Sequence, residues 1–205
     1  MAFDFGKFSA VRMAAVSAVS VIAGLLMSSV SMAADFEGAP ATQEPFFDEL
    51  RFGAQIAVDK TRTNDERGSF YQVTMFFDPF NNDTAVGWKE HILRPRVYVG
   101  GTVASDSREA SMLFTGLAWN ANITEKAFLE LGFGGMIHNG DLDYDGTRGP
   151  KLGCRTLFRE YAAIGYDVTQ NWRVLAQVEH SSHANLCGDT NNGLTRAGLA
   201  VGYKF

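Results

Sequence analysis

Residues 172–182 read WRVLAQVEHSS, and residues 195–205 read TRAGLAVGYKF. In an extended strand, residues two apart share a face. The first run therefore places Trp172, Val174, Ala176, Val178, His180 and Ser182 on one side, and Arg173, Leu175, Gln177, Glu179 and Ser181 on the other. The second sets Thr195, Ala197, Leu199, Val201, Tyr203 and Phe205 against Arg196, Gly198, Ala200, Gly202 and Lys204. Each strand has an apolar side backed by a more polar one. A base and a hydroxyl nucleophile stand at the end of the first apolar stripe. If that stripe faces lipid, the pair opens onto a membrane.

The same alternation recurs upstream. Leu50, Phe52, Ala54, Ile56 and Val58 alternate with Arg51, Gly53, Gln55 and Ala57. Tyr71, Val73, Met75 and Phe77 alternate with Gln72, Thr74, Phe76 and Asp78. Leu93, Pro95, Val97, Val99, Gly101 and Val103 alternate with Arg94, Arg96, Tyr98, Gly100 and Thr102. Leu129, Leu131, Phe133 and Ile137 alternate with Phe128, Glu130, Gly132, Gly134 and Met136. Runs at about 109–120 and 151–167 are strand-like with less regular alternation. The total is eight strands, each about as long as a tilted strand needs to cross a bilayer. Asn81-Asn82-Asp83, Asn120-Ala121-Asn122, Asn139-Gly140-Asp141 and the Asp189–Gly193 stretch supply turn chemistry between them.

The N-terminus has a different character. Lys7 and Arg12 precede an apolar, small-residue run from Met13 to about Met27, and Ser31-Met32-Ala33 offers small residues to a signal peptidase. The expected organisation is a signal peptide over 1–33, an N-terminal periplasmic segment over 34–47 and a β-domain over 48–205. No run past residue 33 is long and apolar enough for a membrane helix. With a formal net charge of −5 and no basic patch, the chain carries no signature of nucleic-acid binding.

A soluble eight-stranded barrel also alternates, but with its apolar face inside. Three features favour the membrane version. An export signal is present. The second face holds charges on most strands, as a narrow polar interior does. The chain ends on Phe205 with Tyr203 two before it, as the last strand of bacterial outer-membrane barrels does. The expected fold is thus all-β, an eight-stranded antiparallel transmembrane barrel integral to the bacterial outer membrane. With both termini in the periplasm, the connections near 59–70, 104–108, 138–150 and 181–192 are extracellular, and His180 and Ser182 lie at that end on the lipid side. Cys154 and Cys187 are the two cysteines. An even count in an oxidising compartment makes a disulfide the default, and the topology brings both to the extracellular ends of neighbouring strands.

Four stretches then show a family likeness: Leu131-Gly132-Phe133-Gly134-Gly135, Leu157-Phe158-Arg159-Glu160, Glu179-His180-Ser181-Ser182-His183-Ala184-Asn185-Leu186-Cys187, and Asn191-Asn192-Gly193-Leu194-Thr195 leading into Gly202-Tyr203-Lys204-Phe205. In these the chain resembles the lipid A 3-O-deacylases, PagL-like proteins also called acyloxyacyl hydrolases. The likeness runs from about 48 to 205 and is densest after 129. It implies a hydrolytic site on the outer wall of the barrel, with His180 as general base and Ser182 as nucleophile. A serine hydroxyl is a poor nucleophile until a neighbouring imidazole accepts its proton.

The chain departs from the family pattern twice. His183 stands where the best-known members have Asn after His-x-Ser. Thr195 stands where they carry the Glu that orients the histidine. By alternation Thr195 lies on the lipid face beside His180 and is able to accept its hydrogen bond, but it brings no charge; Asp189 is a possible substitute. For the oxyanion, the candidates are backbone N–H groups after Ser182 and the side chains of Asn185 and Asn192, because donors must be preorganised where negative charge develops. No cofactor is implied.

The implied partner is lipid A or lipopolysaccharide in the outer leaflet, in contact with membrane lipid, with a homo-oligomer possible. Two rivals stand beside this reading: an esterase acting on phospholipid, and a non-catalytic structural or adhesive barrel. A metal cluster of His180, His183, Cys187 and Asp189 is disfavoured, because alternation puts the two histidines on opposite faces and Cys187 has a better use with Cys154. His91 and His138 show no partner in the sequence.

Overall fold

The computed structural model describes residues 46–58, 66–143 and 150–205. The expected signal segment and nearly all of the 34–47 segment lie outside the described residues. Eight strands follow one another: β1 (Phe47–Ala57), β2 (Ser69–Phe77), β3 (Arg96–Ala104), β4 (Met112–Asn122), β5 (Ala127–His138), β6 (Thr156–Asp167), β7 (Trp172–Ser182) and β8 (Leu194–Lys204). Each pairs antiparallel with the next, and β8 pairs with β1, so the sheet closes and leaves no edge.

The barrel is apolar outside. Phe52, Ile56 and Leu199 are 56%, 58% and 70% exposed, whereas Arg51 and Glu130 are 2% and 0% exposed. This inverts a soluble barrel. Water would penalise such an outer wall, while lipid accepts it, and the closed ladder satisfies the backbone without water. The molecule is an integral outer-membrane-type β-barrel, as the alternation predicts.

The lumen is filled by ion pairs and by aromatic rings. At the end that carries Phe47 and Phe205, Glu49, Arg51, Arg96, Glu130 and Arg173 form one network. Arg51 Nη1 donates to Glu130 Oε1 at 2.7 Å, Arg96 Nη2 to Glu130 Oε2 at 2.5 Å, and Arg173 Nη1 to Glu49 Oε2 at 3.1 Å. Halfway up, Arg159 Nη2 donates to Glu179 Oε2 at 2.5 Å, which also accepts from Gln72 at 3.1 Å and Gln177 at 3.2 Å. At the opposite end Arg196 pairs with Glu66 at 2.6 Å. The rings sit between these layers: Arg159 lies 4.1 Å from the Phe114 centroid and Arg196 3.7 Å from that of Phe70.

Glycines make room for rings, most tightly at two positions. A Cβ at Gly132 would lie 1.9 Å from Tyr161 Cε1, and one at Gly165 would lie 2.1 Å from Phe128 Cζ. A side chain at either position has no space in so narrow a barrel.

The connection between β2 and β3 differs from the sequence expectation. Strand-like alternation runs back to Leu93 and Pro95, yet residues Gly87–Leu93 form a short helix, α1, and β3 begins only at Arg96. Pro95 has no N–H to give to a ladder. The Asn82 side chain donates to Arg94 O at 2.5 Å, and Trp119 Nε1 donates to Ile92 O at 3.0 Å, which fix α1 at the rim. A smaller difference concerns Asn120-Ala121-Asn122, expected as a turn. These residues are the end of β4, and the reversal comes after them. Around the same rim Phe205 packs on Phe47 at 4.6 Å and on Tyr203 at 5.1 Å, and Trp172 packs on Tyr203 at 5.0 Å. An aromatic girdle of this kind suits a membrane interface.

Candidate functional site

The site lies at the barrel end opposite Phe205, where β6, β7 and β8 meet. His180 and Ser182 are both partly exposed and both alternate outward, while Glu179 and Ser181 beside them are buried in the lumen. The register makes Thr195 the cross-strand partner of His180 on β8, and Glu160 its partner on β6; Ser182 faces Phe158. The predicted contact between His180 and Thr195 is present: Nδ1 and Oγ1 are 2.9 Å apart. No hydrogen bond joins Ser182 to His180, so the two share a face without a formed dyad.

Gly193 sits against the imidazole. It has φ of 68°, and a Cβ there would come within 3.0 Å of His180 Cε1. The Gly of the Asn-x-Gly stretch thus lets the chain turn into β8 and leaves room for the Cε1 and Nε2 atoms of the ring.

The loop from 183 to 193 is tied in several places. Cys154 and Cys187 are bonded, with Cα atoms 5.9 Å apart. His183 is buried: its Nε2 donates to Thr190 O at 2.7 Å, and its Nδ1 accepts from the Cys187 N–H at 3.3 Å. It therefore serves as an internal pin for the loop and faces away from His180. Ala184 and Asn185, with φ of 50° and 60°, turn the chain out of β7.

The two asparagines occupy different settings. Asn185 is exposed and its Oδ1 accepts from Asn191 Nδ2 at 3.3 Å. Asn192 Oδ1 accepts from the Lys151 N–H at 3.1 Å, which joins the loop to the chain ahead of β6. Both therefore serve loop structure, and neither is bonded to Ser182 or His180. Asp189 is exposed in the loop and makes no hydrogen bond to His180. His138, without a partner in the sequence reading, has two: Nε2 donates to Cys154 O at 2.6 Å, and Nδ1 accepts from the Gly140 N–H at 3.1 Å. It braces the disulfide from inside the barrel.

The residue that sequence reading left unused is Glu160. It lies in the Leu157–Glu160 stretch, in a run whose alternation looked irregular. The signal was available, because Phe158, Glu160, Ala162 and Ile164 do alternate. Its neighbour across the sheet was not.

The disulfide yields a direct prediction. Closing the 33-residue separation contributes about 3–4 kcal/mol by loop entropy. Protein recovered from an oxidising compartment and denatured without reductant should show neither Cys154 nor Cys187 to a thiol reagent. Full labelling of both would show that the bridge does not form.

A family model described as lipid A 3-O-deacylase (PagL) matches residues 68–204. Among solved structures, the crystal structure of the outer membrane enzyme PagL is similar at 16% identity and a TM-score of 0.53, covering 76% of this chain and 97% of that one. A de novo designed transmembrane β-barrel is similar at 14% identity and a TM-score of 0.45, with 80% and 98% covered. Ail of Yersinia pestis, in nanodiscs, is similar at 13% identity and a TM-score of 0.44, with 78% and 100% covered. No curated protein matches the chain.

Proposed function

Because this chain belongs to the lipid A 3-O-deacylase (PagL) family, we propose that it is an outer-membrane esterase that hydrolyses the 3-O-linked acyl chain of lipid A, with Ser182 as nucleophile and His180 as general base. The observation that carries the reading is the outward placement of His180 and Ser182 at one end of β7, with His180 held at Nδ1 by Thr195. With both termini in the periplasm, that end is extracellular, at the level of lipopolysaccharide headgroups. Immediately below it the wall is low: Ala162, Val178 and Ala197 form one cross-strand row. An acyl chain is able to lie there, reaching the site sideways from the outer leaflet.

The chemistry uses the tautomer in which Nδ1–H donates to Thr195 Oγ1 and Nε2 keeps its lone pair. In the reacting pair Ser182 Oγ–H must reach Nε2. As Oγ attacks the ester carbon, its proton passes to Nε2 and the carbonyl electrons move to oxygen. The tetrahedral intermediate collapses by breaking the bond to the sugar 3-oxygen, which takes the proton from Nε2. Water then repeats the sequence on the acyl-enzyme and releases the fatty acid. Backbone N–H groups after Ser182, where Ala184 and Asn185 reverse the chain, are candidates to receive the oxyanion. Asn185 and Asn192 remain side-chain candidates, each through an amide nitrogen.

The test is mass spectrometry of lipid A from a Gram-negative host expressing wild type beside Ser182→Ala. Loss of one ester-linked acyl chain only with wild type supports the reading. Unchanged lipid A with altered phospholipid would make the enzyme a phospholipid esterase, and no lipid change at all would leave a non-catalytic barrel.

A further inference from the structure

On the outward faces of the eight strands, two side chains are able to carry charge at neutral pH: His180 and Glu160. Every other outward position is apolar, small, a hydroxyl or an aromatic residue. Asp48, at the bulge in β1, turns instead to Arg96. The register makes the two outward ionisable residues direct cross-strand neighbours. Residues so paired have Cβ atoms about 4.5–5.5 Å apart, within reach of a Glu side chain.

Glu160 has no structural reason to be there. It is exposed and makes no hydrogen bond or ion pair among the described residues. Its neighbours are Phe133 across β5 and Phe158 on its own strand, whose rings stack at 6.0 Å. Charge on a lipid-facing wall is unfavourable in a depth-dependent way. An ionisable residue held there, with a titratable partner beside it, marks a functional role.

We infer that Glu160 is the charge partner of His180: a positioning residue on β6 that supplies the negative charge which Thr195, on β8, lacks. The inference rests on the reading of His180 and Ser182 as the hydrolytic pair. His180 is then flanked on both sides. Thr195 fixes the ring through Nδ1, Gly193 leaves room for its Cε1 and Nε2 edge, and Glu160 faces it from the other strand. When His180 takes the Ser182 proton it becomes an imidazolium, and a carboxylate at cross-strand distance stabilises that charge. No other charged side chain on β6, β7 or β8 faces outward beside it. Arg155, ahead of β6, donates to Gly140 O at 2.6 Å.

The test compares wild type, Glu160→Gln, Thr195→Glu and the double variant, in detergent with purified lipid A. Glu160→Gln should lower kcat about 10- to 100-fold, the range one charge supplies at this distance near a protein surface, with KM little changed. Thr195→Glu in the Glu160→Gln background should restore most of kcat, because it returns a carboxylate to His180 from the other side. The two ring 15N signals of His180 should shift in Glu160→Gln. Wild-type kcat in Glu160→Gln, a change in KM alone, failure of Thr195→Glu to rescue, or unmoved ring signals would each overturn the inference. Ser182→Ala separates the two ideas: if it stays active, or wild type is inert, the hydrolytic reading falls, while the ring signals still decide the contact. Heat-dependent gel migration confirms that each variant is a folded barrel.

Discussion

Ser182→Ala and His180→Ala should each reduce release of the 3-O-acyl chain from lipid A by about 10³-fold or more, while the barrel stays folded. The magnitude follows from removing a nucleophile or its general base. The barrel should survive because both side chains are partly exposed near a strand end and neither takes part in the lumen network. Members of one catalytic unit act together, so the double variant should be no slower than the slower single one. Ser181→Ala is the decisive neighbour. Its hydroxyl points into the lumen, where it is 1% exposed, and the variant should keep near wild-type activity. Loss of activity in Ser181→Ala with retention in Ser182→Ala would mean that the wrong serine has been assigned. Retention in all three would remove the Ser–His mechanism altogether.

Glu130→Ala should destabilise the barrel by about 3–5 kcal/mol, the cost of breaking a buried ion pair by removing one partner. Glu130 is fully buried and accepts from Arg51, Arg96 and the Tyr161 hydroxyl. Without it, Arg51 keeps Glu49, and Arg96 keeps Glu49 and Asp48, but Tyr161 loses its acceptor and Arg51 and Arg96 each lose a buried carboxylate partner. Urea titration in lipid vesicles, read by the gel shift between folded and boiled forms, measures the loss. Leu131→Val, one residue away on the lipid face, is the control and should move stability by less than about 1 kcal/mol. Equal effects of the two substitutions would show that the lumen network adds little beyond generic strand packing.

Much of this molecule is readable along the chain. A strand has a period of two, so Phe52, Ile56 and Leu199 report their side of the sheet from position alone, as do Arg51, Glu179 and Arg196. The same rule places His180 and Ser182 together and turns Ser181 and His183 away. It fails where other chemistry intervenes. Leu93 and Pro95 keep the strand period on paper, but proline cannot join the ladder and the residues before it close into α1. His138 bonds to the Cys154 carbonyl and Asn192 to the Lys151 N–H, and backbone groups leave no trace in side-chain patterning.

The sequence by itself determined which residues face lipid and which face the lumen, because that depends only on local alternation and on the sign of hydrophobicity on each side. It also carried the His-x-Ser and Asn-x-Gly elements on which the resemblance to the family was read. Only the tertiary structure decided who stands next to whom. Glu130 meets Arg51 across 79 residues, and Glu160 stands opposite His180 in the register of β6 and β7, because closure of eight strands sets one register for the whole sheet. A shift of that register would change these partners without altering a single residue's character, so no local pattern encodes them.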